Sequence, residues 1–170
     1  VAGEWGAEVL VKPRGMTATL EKISAAQRWS DGWRGGLLGT CHFDRGFHAG
    51  LIAEALADAG VSLVVLVSAC SGLVDPELLA GLVDHAERHS HREFFFTQAA
   101  PGLAGVALRP ELIERLAKAG AHPGRLLAYS PDTPGLDPLT NDMCVPVAPA
   151  IARTGHSFAL DSDRQSGSAS

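Results

Sequence analysis

Three groups of side chains in this sequence have the types and spacing to do chemistry. His85 and His89 lie four residues apart, with His91 just beyond. On a helix this spacing puts two imidazoles on one face, where they could hold a metal. Arg88 and Arg92 crowd the group, however, and it falls where a helix is ending. A solvated helix terminus with favourable cations is therefore the expected role, and the three histidines are not expected to converge on a metal. The second group is Cys41-His42-Phe43-Asp44 with His48. A Cys, a His and an Asp could form a nucleophilic set if the fold brought the imidazole against the thiol. The plainer alternative is a loop leading into a helix near Ala49. The third group stands at expected strand ends: Cys70 and Asp75 after one apolar run, Asp161 and Asp163 after another. Magnesium that bridges nucleotide phosphates is commonly held by one or two carboxylates plus phosphate oxygens. Asp161 suits that role. Asp75, followed by Pro76, is explained by helix capping alone. Cys70 is either a reactive thiol or a small buried one.

The elements that would position these groups follow from periodicity. Residues 63–67, Leu-Val-Val-Leu-Val, are apolar without interruption. Such a run predicts a strand covered on both faces, central in a parallel sheet. It breaks at Ser68-Ala-Cys-Ser-Gly72, and Asp75-Pro76 then opens a helix with Leu78, Leu79, Leu82, Val83 and Ala86 on one face. Strand, small-residue turn and helix start is where open α/β sheets receive ligands. Earlier in the chain, 7–11 reads as a short strand and 19–29 as a helix. The segment Gly32-Trp-Arg-Gly-Gly-Leu-Leu-Gly-Thr40 has no GxxxxGK[ST] or GxGxxG pattern, so a turn and short strand are expected there, with Arg34 as the one candidate phosphate partner. A helix is expected over 49–59 with Gly60 as its stop, strands over 94–97 and 103–108, and a helix from Pro110 to Gly120. Residues 122–149 read as loop, followed by a short helix near Ala150, a strand over 157–160 and a frayed tail from 165. Strands alternating with helices predict an α/β layered domain over 1–164 with a mainly parallel sheet.

Composition narrows the function classes. The chain has 170 residues, with 46% hydrophobic and 19% charged, as in a globular domain. A formal net charge of −5 disfavours a general nucleic-acid binder. Three cysteines, an odd number without CxxC spacing, argue against a disulfide framework and for a reducing compartment. No apolar run reaches membrane-spanning length and no signal-peptide pattern opens the chain, so a cytoplasmic protein without a membrane partner is expected. The start at Val1 rather than Met allows a processed product or a fragment.

Three segments in order resemble the nucleotide-diphospho-sugar transferase-like proteins, in particular their sugar-nucleotide cytidylyltransferase branch. Ala69-Cys-Ser-Gly-Leu-Val-Asp-Pro76 is similar to the Gly-Asp-x-Pro-Leu-x-Asp-Pro that ends a central strand in that family. Ala100-Pro-Gly-Leu-Ala-Gly-Val-Ala-Leu-Arg-Pro-Glu-Leu112 is similar to the strand that carries Pro-x-Gly-Leu and a later Leu. Phe158-Ala-Leu-Asp-Ser-Asp-Arg164 is similar to the late strand and turn Leu-x-Val-Asp-Thr-x-Glu-Asp. The resemblance covers about residues 61–164. It implies a three-layer α/β/α sandwich that binds a nucleoside triphosphate such as CTP with magnesium. It also implies transfer of the nucleotidyl group to a sugar or sugar phosphate. On this matching Asp161 is the metal candidate, and Cys70 stands where the family has a metal-binding Asp. Ala104 and Val106 replace an acidic pair that contacts the sugar. The family's opening strand, glycine-rich nucleotide loop and helix have no counterpart, and would precede Val1 in a longer chain. The expected function is thus nucleotidyltransferase-like and catalytically degenerate. Two alternatives are a non-catalytic interaction or regulatory domain of the same fold, and a Cys-dependent hydrolase using Cys41 or Cys70.

Overall fold

The computed structural model describes residues 39–44, 46–152 and 157–159. The strand expected at 7–11, the helix at 19–29, Arg34 and Asp161 lie outside them. The described chain is a mixed α/β fold of five helices and a four-stranded sheet. The elements are α1 (Ala49–Leu56), β1 (Val64–Leu66), α2 (Pro76–Arg88), β2 (Phe94–Thr97) and β3 (Val106–Leu108). They continue with α3 (Pro110–Ala119), α4 (Pro123–Leu127), β4 (Cys144–Val145) and α5 (Pro149–Ala152).

Local chemistry accounts for the helix boundaries. Asp75 Oδ1 accepts a hydrogen bond from Glu77 N at 2.8 Å, and Pro76 takes the first helical position of α2. Pro110 does the same for α3, which ends at Gly120 in the left-handed region, φ 58°. α1 begins on a histidine: His48 Nδ1 accepts from Leu51 N at 3.3 Å. It ends at Leu56, three residues short of the expected Ala59, where the last turn tightens through Ala59 N to Leu56 O. The stretch 122–149, expected to be mostly loop, contributes α4 and the two-residue β4.

The sheet order is β1-β3-β2-β4. β3 pairs antiparallel with both β1 and β2, and only β2 and β4 pair in parallel. The pairings are therefore mostly antiparallel, where strand–helix alternation predicted parallel ones. The reason is the direct crossing from β2 to β3 through a loop at one end of the sheet, with no helix between them. β1, β2 and β4 nevertheless run in one direction, and β3 alone is reversed. β1 was expected to be central. Among the described residues it is at the sheet edge, paired only with β3. Its apolar character on both faces has another cause. Val64 and Leu66 pack into a core with Phe94, Phe96, Val106, Leu108 and the inward residues Leu112, Ile113 and Leu116 of α3. Leu63 and Val65 pack on the opposite face with Phe95, Ala107, Val145 and the α2 residues Leu79, Leu82 and Ala86. Helices covering both faces demand apolar residues at every position of the strand, wherever it lies in the sheet. The strand expected at 157–160 does not form over 157–159; these residues are irregular and lie against the loop after β2.

One arginine ties the amino-terminal end of this sheet. Arg109 donates from its guanidinium to the carbonyls of Ser62 and Ala86, both at 3.0 Å, and of Arg92 at 3.4 Å. It thereby joins the approaches to β1 and β2 to the last turn of α2. A planar, multi-donor head suits three acceptors arriving from different elements.

Candidate functional site

The carboxyl ends of β1, β2 and β4 share one rim of the sheet. After Leu66 the chain makes a tight turn in which Ser71 N donates to Ser68 O at 2.9 Å and Cys70 N donates to Ser68 Oγ at 3.3 Å. Ser68 turns the chain with both of its oxygens, the hydroxyl and the carbonyl each accepting from a different amide two or three residues on. After Thr97 the second rim segment, residues 98–105, begins with Ala99 N donating to Thr97 Oγ1 at 3.1 Å. It is bound to the first segment by Asp75 N to Leu103 O at 2.8 Å. A third segment, 157–159, lies on it through Phe158 N to Pro101 O at 2.7 Å. Two glycines permit this crowding. Gly102 has φ 94°, and a Cβ there would collide with the Phe158 backbone. A Cβ on Gly105 would collide with Leu66 O. A fourth contribution comes from the helical turn at His42–Asp44, where His42 Nε2 accepts from Gly102 N at 3.3 Å.

No protein-family model, curated protein or solved structure matches this chain.

The chemistry available at the rim can be read from its donors. Cys70 is a reduced, half-buried thiol, and a soft ligand for a hard cation. Asp75 already gives Oδ1 to its own helix. Among the described residues no group of three or more His, Cys, Asp or Glu side chains is placed to hold a metal ion. At the described part of the rim the side chains on offer are thus a soft thiol and a carboxylate with one oxygen engaged in its own helix cap, a poor match for magnesium. Ser71 Oγ is the one buried side-chain polar atom among them that has no hydrogen-bond partner. Ala104 and Val106 are buried, so those positions present no acidic group to a ligand.

The Cys41 cluster has a different organisation from a nucleophilic set. Asp44 is fully buried and sits at the centre. Its Oδ2 accepts from Cys41 N at 2.8 Å and from His122 Nδ1 at 2.9 Å, and its Oδ1 accepts from Gly124 N at 2.8 Å. Burial first, and the Asp44 charge second, push the Cys41 thiol far above its ordinary range. A carboxylate beside a thiol opposes the thiolate that nucleophilic attack needs. His42 and His48 meet backbone amides of Gly102 and Leu51. The cluster is a clasp: it fixes the turn at 42–44 to the start of α4, which has no side-chain cap from His122. His122 and Gly124 were not apparent as partners of Asp44, because 78 and 80 residues separate them from it in sequence.

The histidine group lies at the opposite end of the sheet from the rim. His85 Nε2 donates to the Asp142 carbonyl at 2.8 Å, and His89 Nδ1 donates to His85 O at 2.9 Å with the two rings stacked 4.1 Å apart. His91 and Arg92 approach the Asp142 carboxylate at 3.0 and 3.4 Å. Arg92 chiefly, with backbone and His91 hydrogen bonds, holds that carboxyl below the usual carboxylate range. These residues fasten the approach to β4 onto the end of α2. No helix among the described residues is long and apolar enough to cross a membrane.

Proposed function

We propose that this chain is a nucleotidyltransferase-like domain of three layers, α/β/α, whose ligand rim is formed by residues 68–75, 98–105 and 157–159. Its ligands are a nucleoside triphosphate of the CTP type and a sugar or sugar phosphate, and its location is the cytoplasm. One observation carries this reading. The three segments that resemble the nucleotide-diphospho-sugar transferase-like proteins are far apart in sequence, and backbone hydrogen bonds join them at a single rim, Asp75 to Leu103 and Phe158 to Pro101. The rim lies at the carboxyl ends of co-directional strands, the usual ligand position in open α/β sheets. Helices packed on both sheet faces agree with the layering. Fold alone does not fix function, so the residues decide the activity.

Those residues favour a degenerate enzyme. Cys70 leaves the rim short of a hard oxygen, and the acidic pair expected to contact the sugar is replaced by buried Ala104 and Val106. Nucleotide binding should accordingly be weak and depend little on magnesium. Calorimetric titration with CTP, with and without magnesium, tests this on the wild type, Cys70→Asp and Cys70→Asn. Cys70→Asp should strengthen magnesium-dependent binding, and Cys70→Asn, which adds an oxygen without charge, should do so less. Tight magnesium-dependent binding by the wild type would refute degeneracy. Absence of any nucleotide binding in all three would leave the non-catalytic interaction domain as the better reading.

A further inference from the structure

We propose that the open edge of β1 is a self-association surface, on which a second copy of this chain pairs antiparallel, Val65 against Val65, about a two-fold axis. The pairing is independent of the nucleotide reading above.

Backbone polarity identifies the groups on offer. Along a strand, successive residues turn their N–H and C=O to alternate sides. Arg109 N donates to Glu93 O, so Arg109 and, two residues back, Ala107 turn toward β2. Val106 and Leu108 therefore turn toward β1, where Leu66 and Val64 face them. Two contacts on the same side agree: the Leu66 carbonyl lies against Gly105, and the Ser62 carbonyl accepts from Arg109. Val65 is left with its N–H and C=O directed away from the sheet, and the same alternation turns Leu63 and Val67 outward on either side of it. Among the described residues no hydrogen bond reaches these outward groups. Such a row is a template for another strand.

Symmetry and charge name the strand that fits. With the two-fold centred on Val65, Val65 meets itself, Val64 meets Leu66 of the second copy, and Leu63 meets Val67. Outward-turned residues then meet outward-turned residues, so each free N–H finds a C=O; a shift of one residue would lose this match. The faces agree as well. Leu63 and Val65 belong to the layer under α2, Val64 and Leu66 to the layer under α3. Antiparallel partners share a face, so each core continues into its counterpart. Residues 59–74 contain no charged side chain and no proline, the residues that commonly block such edges. A chain of net charge −5 repels its copy unless the meeting surface is uncharged, and this one is. Val61 and Val67, 45% and 41% exposed, are two of the five large hydrophobic side chains exposed among the described residues. The pairing covers both, Val67 against Leu63 and Val61 beside Ala69.

Sedimentation equilibrium on the whole chain tests this. The wild type should show a monomer–dimer equilibrium with a dissociation constant between about 1 μM and 1 mM, weaker than a standard interface because one short edge is buried. Val67→Lys should raise that constant about tenfold or more, since the two-fold loses two Leu63–Val67 contacts at once. Val61→Lys, at the end of the junction, should raise it less. Unchanged circular dichroism shows that each variant keeps the fold. Val65→Cys should cross-link to itself in oxidised glutathione, because the paired Cα atoms would stand about 5.5 Å apart, within the span of a disulfide. Val64→Cys, which faces Leu66 instead, should not. Mass spectrometry of the linked peptides separates these bonds from any made by Cys41, Cys70 or Cys144. A wild type that stays monomeric up to about 1 mM overturns the proposal. So does a dimer that is indifferent to Val67→Lys, a dimer that Val65→Cys does not link, or growth past the dimer into open aggregates. Amides of Leu63, Val65 and Val67 protected from exchange in dilute monomer would show the edge covered by the chain itself, and would overturn it too.

Discussion

Replacing Asp44 by Asn keeps size and shape and removes one acceptor. Three buried donors converge on the carboxylate: Cys41 N, His122 Nδ1 and Gly124 N, all within 2.9 Å. The amide of Asn offers one oxygen. In its better orientation that oxygen serves Cys41 and His122, and the NH2 group then faces the Gly124 N–H. One buried donor left without an acceptor costs about 1–3 kcal/mol, and the two surviving bonds lose their charge assistance, about 1 kcal/mol more together. The expected destabilisation is about 2–4 kcal/mol, a large fraction of the ~5–15 kcal/mol that holds a typical domain. Urea unfolding followed by circular dichroism measures it, with equal m-values confirming that stability alone has changed. His122→Ala should cost less, because Asp44 keeps two of its three donors. An Asp44→Asn loss below about 1 kcal/mol, or a larger loss in His122→Ala, would refute the view that this carboxylate is the hub of the clasp.

Other expectations follow from single contacts. Arg109→Lys should destabilise by about 1–3 kcal/mol in the same assay, since an ammonium cannot reach the Ser62, Ala86 and Arg92 carbonyls together. Gly105→Ala should destabilise the β1–β3 pairing, because its Cβ meets Leu66 O; amide exchange at Val106 and Leu66 should accelerate relative to the core of α2. Glu93 is held below the ordinary carboxylate range, chiefly by its hydrogen bonds to Arg115. Its contribution is present above the unfolded carboxylate value and is lost as pH falls through the lower folded one. Glu93→Gln should therefore lower the unfolding midpoint slightly at neutral pH and not at all in strong acid, and only slightly because both side chains are about half exposed and screened by solvent.

The histidines illustrate why parts of the site were legible in one dimension and others were not. A helix ending near His89 could be foreseen from apolar spacing, but the solvated terminus expected there does not hold for His85, which is buried and bonded to the Asp142 carbonyl. Asp142, the acceptor for His85 and His91, lies more than fifty residues on and carries no local signature of that role. The same holds for Asp44, whose partners arrive through the fold. Its neighbours Cys41 and His42 suggested a nucleophile, and only the placement of a buried carboxylate beside the thiol shows the opposite electrostatics.

Short-range chemistry was determined by the sequence alone. Asp75-Pro76 starts α2, Pro110 and Gly120 bound α3, and Phe94–Thr97 is a strand, because capping groups, proline geometry and side-chain periodicity act within a few residues. Strand direction and neighbour were decided only in three dimensions. An apolar run such as 63–67 reports that both faces are covered, which is equally true of a strand at the edge and one at the centre. Whether β3 turns back beside β1 depends on the reach of residues 98–105, on Gly105 admitting Leu66 O, and on Asp75 meeting Leu103. These are backbone contacts between distant segments. A one-dimensional pattern records side-chain type and spacing, and the backbone amides and carbonyls that close the rim are the same in every residue except proline.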